Sequence, residues 1–212
     1  MARTFNGTND ALRATSTPVT AAPLTIACWF NQTTSAAQLL MSVGVNGGID
    51  RFQMFTNGPG SQAVAATANQ SGTTGQSVVA GAPTSGQWHH AASVFASTTS
   101  RTAYWNGTAG TPNTTSITPA GIDSIVIGSR YNTTLGAYFG GSIAEVAIWN
   151  AALSDEEIAS MSKGFHPALI RPASLQFYAP LIRAVQDLRG GLSIGELGTG
   201  TTASTHPRII YP

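Results

Sequence analysis

The stretch Phe139–Phe165, FGGSIAEVAIWNAALSDEEIASMSKGF, decides the fold. Over Gly141–Asn150 the residues alternate as a strand does: Val146 and Ile148 share one face with Ala144, while Glu145 and Trp149 point the other way. Ser154 then stands at a helix N-cap with Glu157 at N3, the capping-box spacing in which each side chain accepts the other residue's backbone N–H. Leu153 and Ile158 fill the two positions of a hydrophobic staple, and Asp155, Glu156 and Glu157 favour the positive helix end. Gly164 follows Lys163, where a left-handed cap ends the helix. A buried strand therefore runs into one short helix over 155–163.

Short strand patterns with turn punctuation recur along the rest of the chain. They cover 2–6, 11–15, 24–31, 38–45, 51–56, 62–68, 77–80, 88–96, 102–105 and 124–129. Asn-Gly pairs beginning at Asn6, Asn46, Asn57 and Asn106 mark hairpin turns. The segments Gln70–Gln76 and Thr108–Ala120, rich in Gly, Thr and Pro, read as exposed tips. Closely spaced strands with a single helix predict an all-β, two-sheet antiparallel sandwich rather than a parallel α/β sheet.

Composition bounds the rest. A chain of 212 residues suits one domain, and a hydrophobic fraction of 42% supplies a core without a disulfide or metal staple. Only 9% of residues are charged, against roughly 25% in average soluble domains, so Thr, Ser, Asn, Gln and Gly must cover the surface. Such a surface suits shells, fibres and extracellular modules. The net charge of +1, with no basic run, argues against nucleic acid or an anionic membrane as partner. Cys28, the one cysteine, alternates with Ile26 and Phe30 and reads as a small buried hydrophobe. The N-terminus carries no apolar signal-type segment, so synthesis in a cytoplasm without a cleaved signal is expected. Asn-X-Ser/Thr triplets at Asn6, Asn31, Asn69, Asn106, Asn113 and Asn132 are what a chain rich in Asn and Thr produces by chance.

Four segments in order carry a family resemblance: Gly86–Val94 with its Trp-His-His, Thr102–Gly107 with its Tyr-x-Asn-Gly, Ile125–Gly128, and Phe139–Asn150. From Ala2 to Phe165 the chain resembles a laminin-G-like domain of the concanavalin A-like lectin and glucanase superfamily. The resemblance implies a jelly roll over 1–165, with 166–212 as a C-terminal extension on the same domain. That extension has an apolar strand at Leu175–Leu181, a turn at Asp187–Gly191 and a Pro-flanked end, Thr205–Pro212. It resembles the extension on laminin-G-like proteins encoded by tailed bacteriophages. Where the family often carries an acid before the strand's Glu, this chain has Ala144, and so lacks a carboxylate on which a calcium or ligand role would rest.

Catalysis can be tested against the acids. Asp155, Glu156 and Glu157 serve the helix cap, Asp10, Asp50, Asp123, Asp187 and Glu196 are isolated, and Glu145 stands alone on the core strand. Glycoside hydrolysis needs two carboxyl groups roughly 5–10 Å apart. The family's glucanases place theirs as Glu-x-Asp on a strand, a spacing absent here. The expectation is no enzyme activity and no cofactor, with Glu145 a buried, hydrogen-bonded structural acid. His89 and His90 face opposite sides of one strand and cannot share an ion, so no histidine metal site is expected. For calcium, which takes six to eight oxygens, Asp50 and Asp123 with loop carbonyls are the contenders.

Trp29, Trp88, Trp105 and Trp149 lie within strands and read as packing residues. Sugar stacking needs aromatics on loops, and Arg130–Tyr138 offers them. Arg130, Tyr131, Asn132 and Tyr138 supply a planar donor, two rings and an amide, and are the glycan-binding candidates. Ile209, Ile210 and Tyr211, apolar between Pro207 and Pro212, are the assembly candidates. The expected function is a non-enzymatic bacteriophage virion protein, a capsid decoration or cement module on the virion exterior. It would join a major capsid protein and form a homo-oligomer. The alternative is a lectin-type adhesion module for host or environmental glycans.

Overall fold

A computed structural model of the chain describes residues 2–58, 62–182 and 184–211. The strands in chain order are β1 (Ala2–Asn6), β2 (Ala11–Ala14), β3 (Leu24–Gln32), β4 (Gln38–Gly44), β5 (Arg51–Gly58) and β6 (Gln62–Gln70). Next come β7 (Thr73–Ala80), β8 (His89–Ser97), β9 (Ser100–Trp105), β10 (Thr108–Ala109), β11 (Ser124–Ile127), β12 (Arg130–Asn132) and β13 (Thr134–Gly136). After β14 (Gly140–Trp149) the chain forms α1 (Asp155–Ser162), then β15 (Leu175–Ala179), β16 (Gly195–Leu197) and β17 (Thr202–Ser204).

Two antiparallel sheets face each other. The first has eight strands, ordered β10-β9-β8-β3-β14-β1-β17, with β15 also on β14; the second has seven, ordered β16-β2-β11-β4-β5-β6-β7. Strands from 175–204 therefore join both sheets. Between the sheets lie Phe5, Leu12, Ile26, Cys28, Phe30, Met54, Phe95, Ile125, Phe139 and Ile148, all essentially buried. Burying an aliphatic or aromatic side chain contributes about 1.5–3 kcal/mol, which is why one such layer suffices for a weakly charged chain. Burial also pushes the Cys28 thiol up, as expected of a packed, inert cysteine.

The opening stretch folds as its chemistry dictates. Ser154 Oγ accepts the Glu157 N–H at 3.3 Å, and Glu157 Oε2 accepts the Ser154 N–H at 2.7 Å. Leu153 and Ile158 sit in a second apolar cluster with Trp149, on the outer face of the first sheet. Trp149 Nε1 donates to Ile170 O at 2.8 Å, so the helix and the segment after it share one buried anchor. Gly164 adopts φ +93°, and helix α1 ends there.

Three expectations are corrected. Ala144 does not share a face with Val146, because the register of β14 on β3 shifts between Ala144 and Ala147. Glu145 occupies that bulge at φ +55°, and one extra residue reverses the alternation on either side of it. The segment Gln70–Gln76 is not a tip: only Ser71-Gly72 turns, and β7 starts at Thr73. Its Gly75 lets the chain pass the buried Arg101, whose Nη1 lies 1.8 Å from where a Cβ would stand. The segment Thr108–Ala120 is not simply exposed either. It carries β10, bridges to Val78 and Arg101, and buries Ile117. The turn expected at Asn57-Gly58 leads into 59–61, and Pro212 of the C-terminal end likewise lies outside the described residues.

Candidate functional site

The rim segment Arg130–Tyr138 forms a hairpin, β12 with β13, pairing Arg130 with Gly136 and Asn132 with Thr134. Ser129 Oγ donates to Gly136 O at 2.9 Å, Thr133 N donates to Gly47 O at 3.2 Å, and Leu39 N donates to Ala137 O at 3.1 Å. These bonds fold the hairpin onto the outer face of the second sheet. Arg13 on β2 shows which face: Leu12 and Ala14 enter the core, so Arg13 points outward. Its Cζ stands 4.4 Å from the centroid of the Tyr131 ring, a cation–π contact.

The same outward face continues across β4, β5, β6 and β7. Ser42, Gln53, Thr67 and Gln76 lie in one cross-strand row, and Arg51 and Asn69 in the next. Gln76 Nε2 donates to Thr67 Oγ1 at 3.3 Å. Arg51 and Gln53 are only 6% and 4% exposed, yet among the described residues Arg51 Nη1 and Gln53 Nε2 have no hydrogen-bond partner, and neither has Arg13 Nε. Burial lowers the Arg51 guanidinium from its ordinary value, and the Arg130 charge adds to this while Asp50 opposes it. A buried donor without an acceptor costs about 1–3 kcal/mol. Beside Arg13 a cleft of about 250 Å³ opens, lined by Thr15, Ser193, Gly195 and Leu197.

Of the glycan candidates, the structure thus brings Tyr131 onto Arg13 and Arg130 toward Arg51. Asn132 lies in the hairpin, half-buried. Tyr138 follows it, also half-buried, and no ring contact joins it to Tyr131 among the described residues. Arg13, Arg51 and Gln53 escaped the sequence reading. A signal existed in Arg51-Phe52-Gln53-Met54, where polar residues alternate with core residues along a central strand.

The acids act elsewhere. Asp50 accepts the N–H groups of Ser71 and Ala120, at 2.7 and 3.0 Å, and Asp123 accepts that of Asn46 at 2.6 Å. These calcium contenders tie loops together; no group of three or more His, Cys, Asp or Glu suited to a metal occurs among the described residues. Asp187 accepts from the N–H groups of Tyr178, Arg189, Gly190 and Leu192, and so holds the turn at 187–191.

Glu145, 2% exposed, ends a buried polar chain. His166 Nδ1 accepts the Ala168 N–H at 3.1 Å, which leaves Nε2 as the donor to Tyr178 Oη at 2.8 Å. Tyr178 Oη in turn donates to Glu145 Oε2 at 2.6 Å. His206 Nε2 stands 2.9 Å from Oε1, off the line of a hydrogen bond, and forms an ion pair there when protonated. Burial raises the Tyr178 hydroxyl pKa, and the Glu145 charge raises it further.

The assembly candidates lie on the arm that carries His206. Ile210 N donates to Gly164 O at 2.7 Å, and His166 N donates to Ile210 O at 3.1 Å, so the arm lies on its own domain. Ile209 is half-buried, whereas Ile210 and Tyr211 remain 47% and 51% exposed.

Two facing antiparallel sheets, one capped helix and a hairpin laid on an outer sheet face define a lectin-type β-sandwich. The chain belongs to the concanavalin A-like lectin/glucanases superfamily, whose family model matches residues 6–159. No curated protein matches it in sequence. Among solved structures it is similar to a candidate carbohydrate-binding protein from Bacteroides ovatus, at 18% identity and a TM-score of 0.70. That match covers 99% of this chain and 61% of the other, so the chain spans less than two thirds of that protein. It is also similar to a heptameric SAP-like pentraxin from Limulus polyphemus, with 15% identity, a TM-score of 0.62, and 76% and 81% of the two chains covered. Domain 4 of the extracellular arabinanase AbnA from Geobacillus stearothermophilus, solved with arabinotriose, matches at 17% identity and a TM-score of 0.61, over 76% of each chain. At these identities the likeness is one of fold.

Proposed function

We propose that this chain is a non-catalytic carbohydrate-binding module whose saccharide lies on the outer face of the second sheet, beside the β12–β13 hairpin. The observation that carries this reading is the set of buried donors on Arg13, Arg51 and Gln53 that have no partner among the described residues, on one sheet face where the Tyr131 ring stacks on Arg13. Sugar hydroxyls supply acceptors to such donors, and a tyrosine face supplies the apolar contact that a pyranose needs. The acids support the non-catalytic side of the reading, since Asp50, Asp123, Asp187 and Glu145 are engaged in holding loops and the arm. The names of the Bacteroides and Geobacillus neighbours are consistent with it. A glycan array tests it: wild type should give saccharide signals that Tyr131→Ala abolishes while the melting temperature is unchanged. An array blank for correctly folded wild type would refute it.

A second reading is a non-enzymatic component of the bacteriophage virion exterior, joined to a major capsid protein or to copies of itself. It is supported by the side chains around the Phe165–Ile210 bridge, where Phe165, Ile210 and Tyr211 are 39%, 47% and 51% exposed. Ile210→Ser with Tyr211→Ser should then lower sedimentation mass or virion occupancy without unfolding the sandwich. An unchanged mass and occupancy would rule it out.

A further inference from the structure

A second cleft, of about 350 Å³, opens on the opposite side of the sandwich, on the outer face of the first sheet. Trp29, Ser162, Lys163, Arg208 and Ile210 line it. Three elements meet there. Trp29 comes from β3, on the strand face opposite Cys28 and Phe30. Lys163 caps the C-terminus of α1, and Arg208 comes from the arm. The junction depends on Gly164, because Arg208 O lies 2.7 Å from where a Cβ there would stand. Any side chain at 164 would push the arm, and Arg208 with it, away from Lys163.

The cleft is aromatic and positively charged. The Trp29 ring is fixed by an edge contact with His90, at 5.5 Å between centroids and 65° between planes. His90 is itself clamped, its N–H donating to Asn106 Oδ1 at 2.8 Å and its carbonyl accepting from Asn106 N at 2.9 Å. Burial lowers the His90 imidazole to about 3, so it adds no charge near neutral pH. The positive charge is that of Lys163 and Arg208, and among the described residues neither forms an ion pair.

An anion attached to a ring with an apolar C–H face matches these features. A guanidinium takes a carboxylate or sulfate through two parallel hydrogen bonds, an ammonium adds a point charge, and an indole stacks on the C–H face of a sugar. Two cations are too few for a nucleic acid, whose affinity comes from many phosphate contacts. We propose that the cleft between Trp29, Lys163 and Arg208 binds an acidic saccharide, a sugar ring bearing a carboxylate or a sulfate. The site is separate from the hairpin face and does not rest on it.

Calorimetric titration of the full chain with tetragalacturonate, a chondroitin sulfate tetrasaccharide and neutral maltotetraose tests this. At least one acidic probe should bind, and weaken as salt rises. Lys163→Gln with Arg208→Gln should weaken that binding at least tenfold. Both side chains are exposed, so the melting temperature should not change. No binding of either acidic probe, equal affinity in the double variant, or tighter binding of a single-stranded oligonucleotide through the same two cations would each overturn the proposal.

Discussion

The polar chain under the C-terminal arm and the polar face under the hairpin are both hidden from water, but they differ in how far their side chains partner one another. His166, Tyr178 and Glu145 pass hydrogen bonds along a line of 2.8 and 2.6 Å, and His206 Nε2 stands 2.9 Å from Glu145 Oε1 without a hydrogen bond. Arg51 and Gln53, buried to the same degree, leave donors with no acceptor among the described residues. A buried polar group that serves the fold meets its partner inside the fold. One that does not is either a cost the chain carries or a group whose partner comes from outside. Unpartnered atoms alone do not mark a site, since His90 Nδ1, Ser93 Oγ and Trp105 Nε1 are also unpartnered. The hairpin face differs in carrying several such donors on one side of one sheet, with Arg13 against the half-buried Tyr131 ring.

The largest expected effect breaks the partnered region. Glu145→Ala strands Tyr178 and His206 and should cost about 3–5 kcal/mol in urea unfolding, the cost of removing one member of a buried charged group. Loss below about 1 kcal/mol would show that the chain of bonds is incidental. Acid should act next. Burial holds the His90 imidazole at about 3, so the folded state keeps it neutral while the unfolded chain takes a proton near pH 6.5. Its contribution is present above about pH 6.5 and is lost as pH falls toward 3, by up to about 1.4 kcal/mol per pH unit. His90→Phe should flatten that part of the stability–pH curve; an unchanged slope would place the imidazole in water. Tyr178→Phe keeps the ring and removes one hydroxyl, and should cost about 1–3 kcal/mol. Ser154→Ala, which leaves an N–H of α1 without its acceptor, should cost about 1 kcal/mol, measured as a lower urea midpoint at constant slope.

Much of this architecture is legible in the residues. The capping box, the staple and the strand before them all depend on side chains close in sequence, and local patterns carry local structure. The bulge at Glu145 is not legible, because one inserted residue leaves each half of the strand with its own correct alternation. Thr73–Gln76 reads as loop because Thr and Gly are turn residues as well as strand residues. It becomes a strand through pairing with Thr67, Ala68, Asn69 and Gln70 of β6. The hairpin at Arg130–Tyr138 was legible as a surface feature, but its place over Arg13 was not. That contact joins residues far apart in the chain and is set by the order of strands in the sheet. Trp29 shows the same limit: its neighbours in sequence suggest packing, while the cleft beside it is built by a helix end and an arm from the other end of the chain.

Gln53→Met tests the central claim most directly, because it removes the unpartnered amide while keeping the volume of the side chain. If the hairpin face is built for a ligand rather than for the fold, equilibrium urea unfolding should show stability equal to or above wild type. A loss of more than about 1 kcal/mol would mean that Gln53 already has its partner within the protein, and the contrast between the two regions would fail.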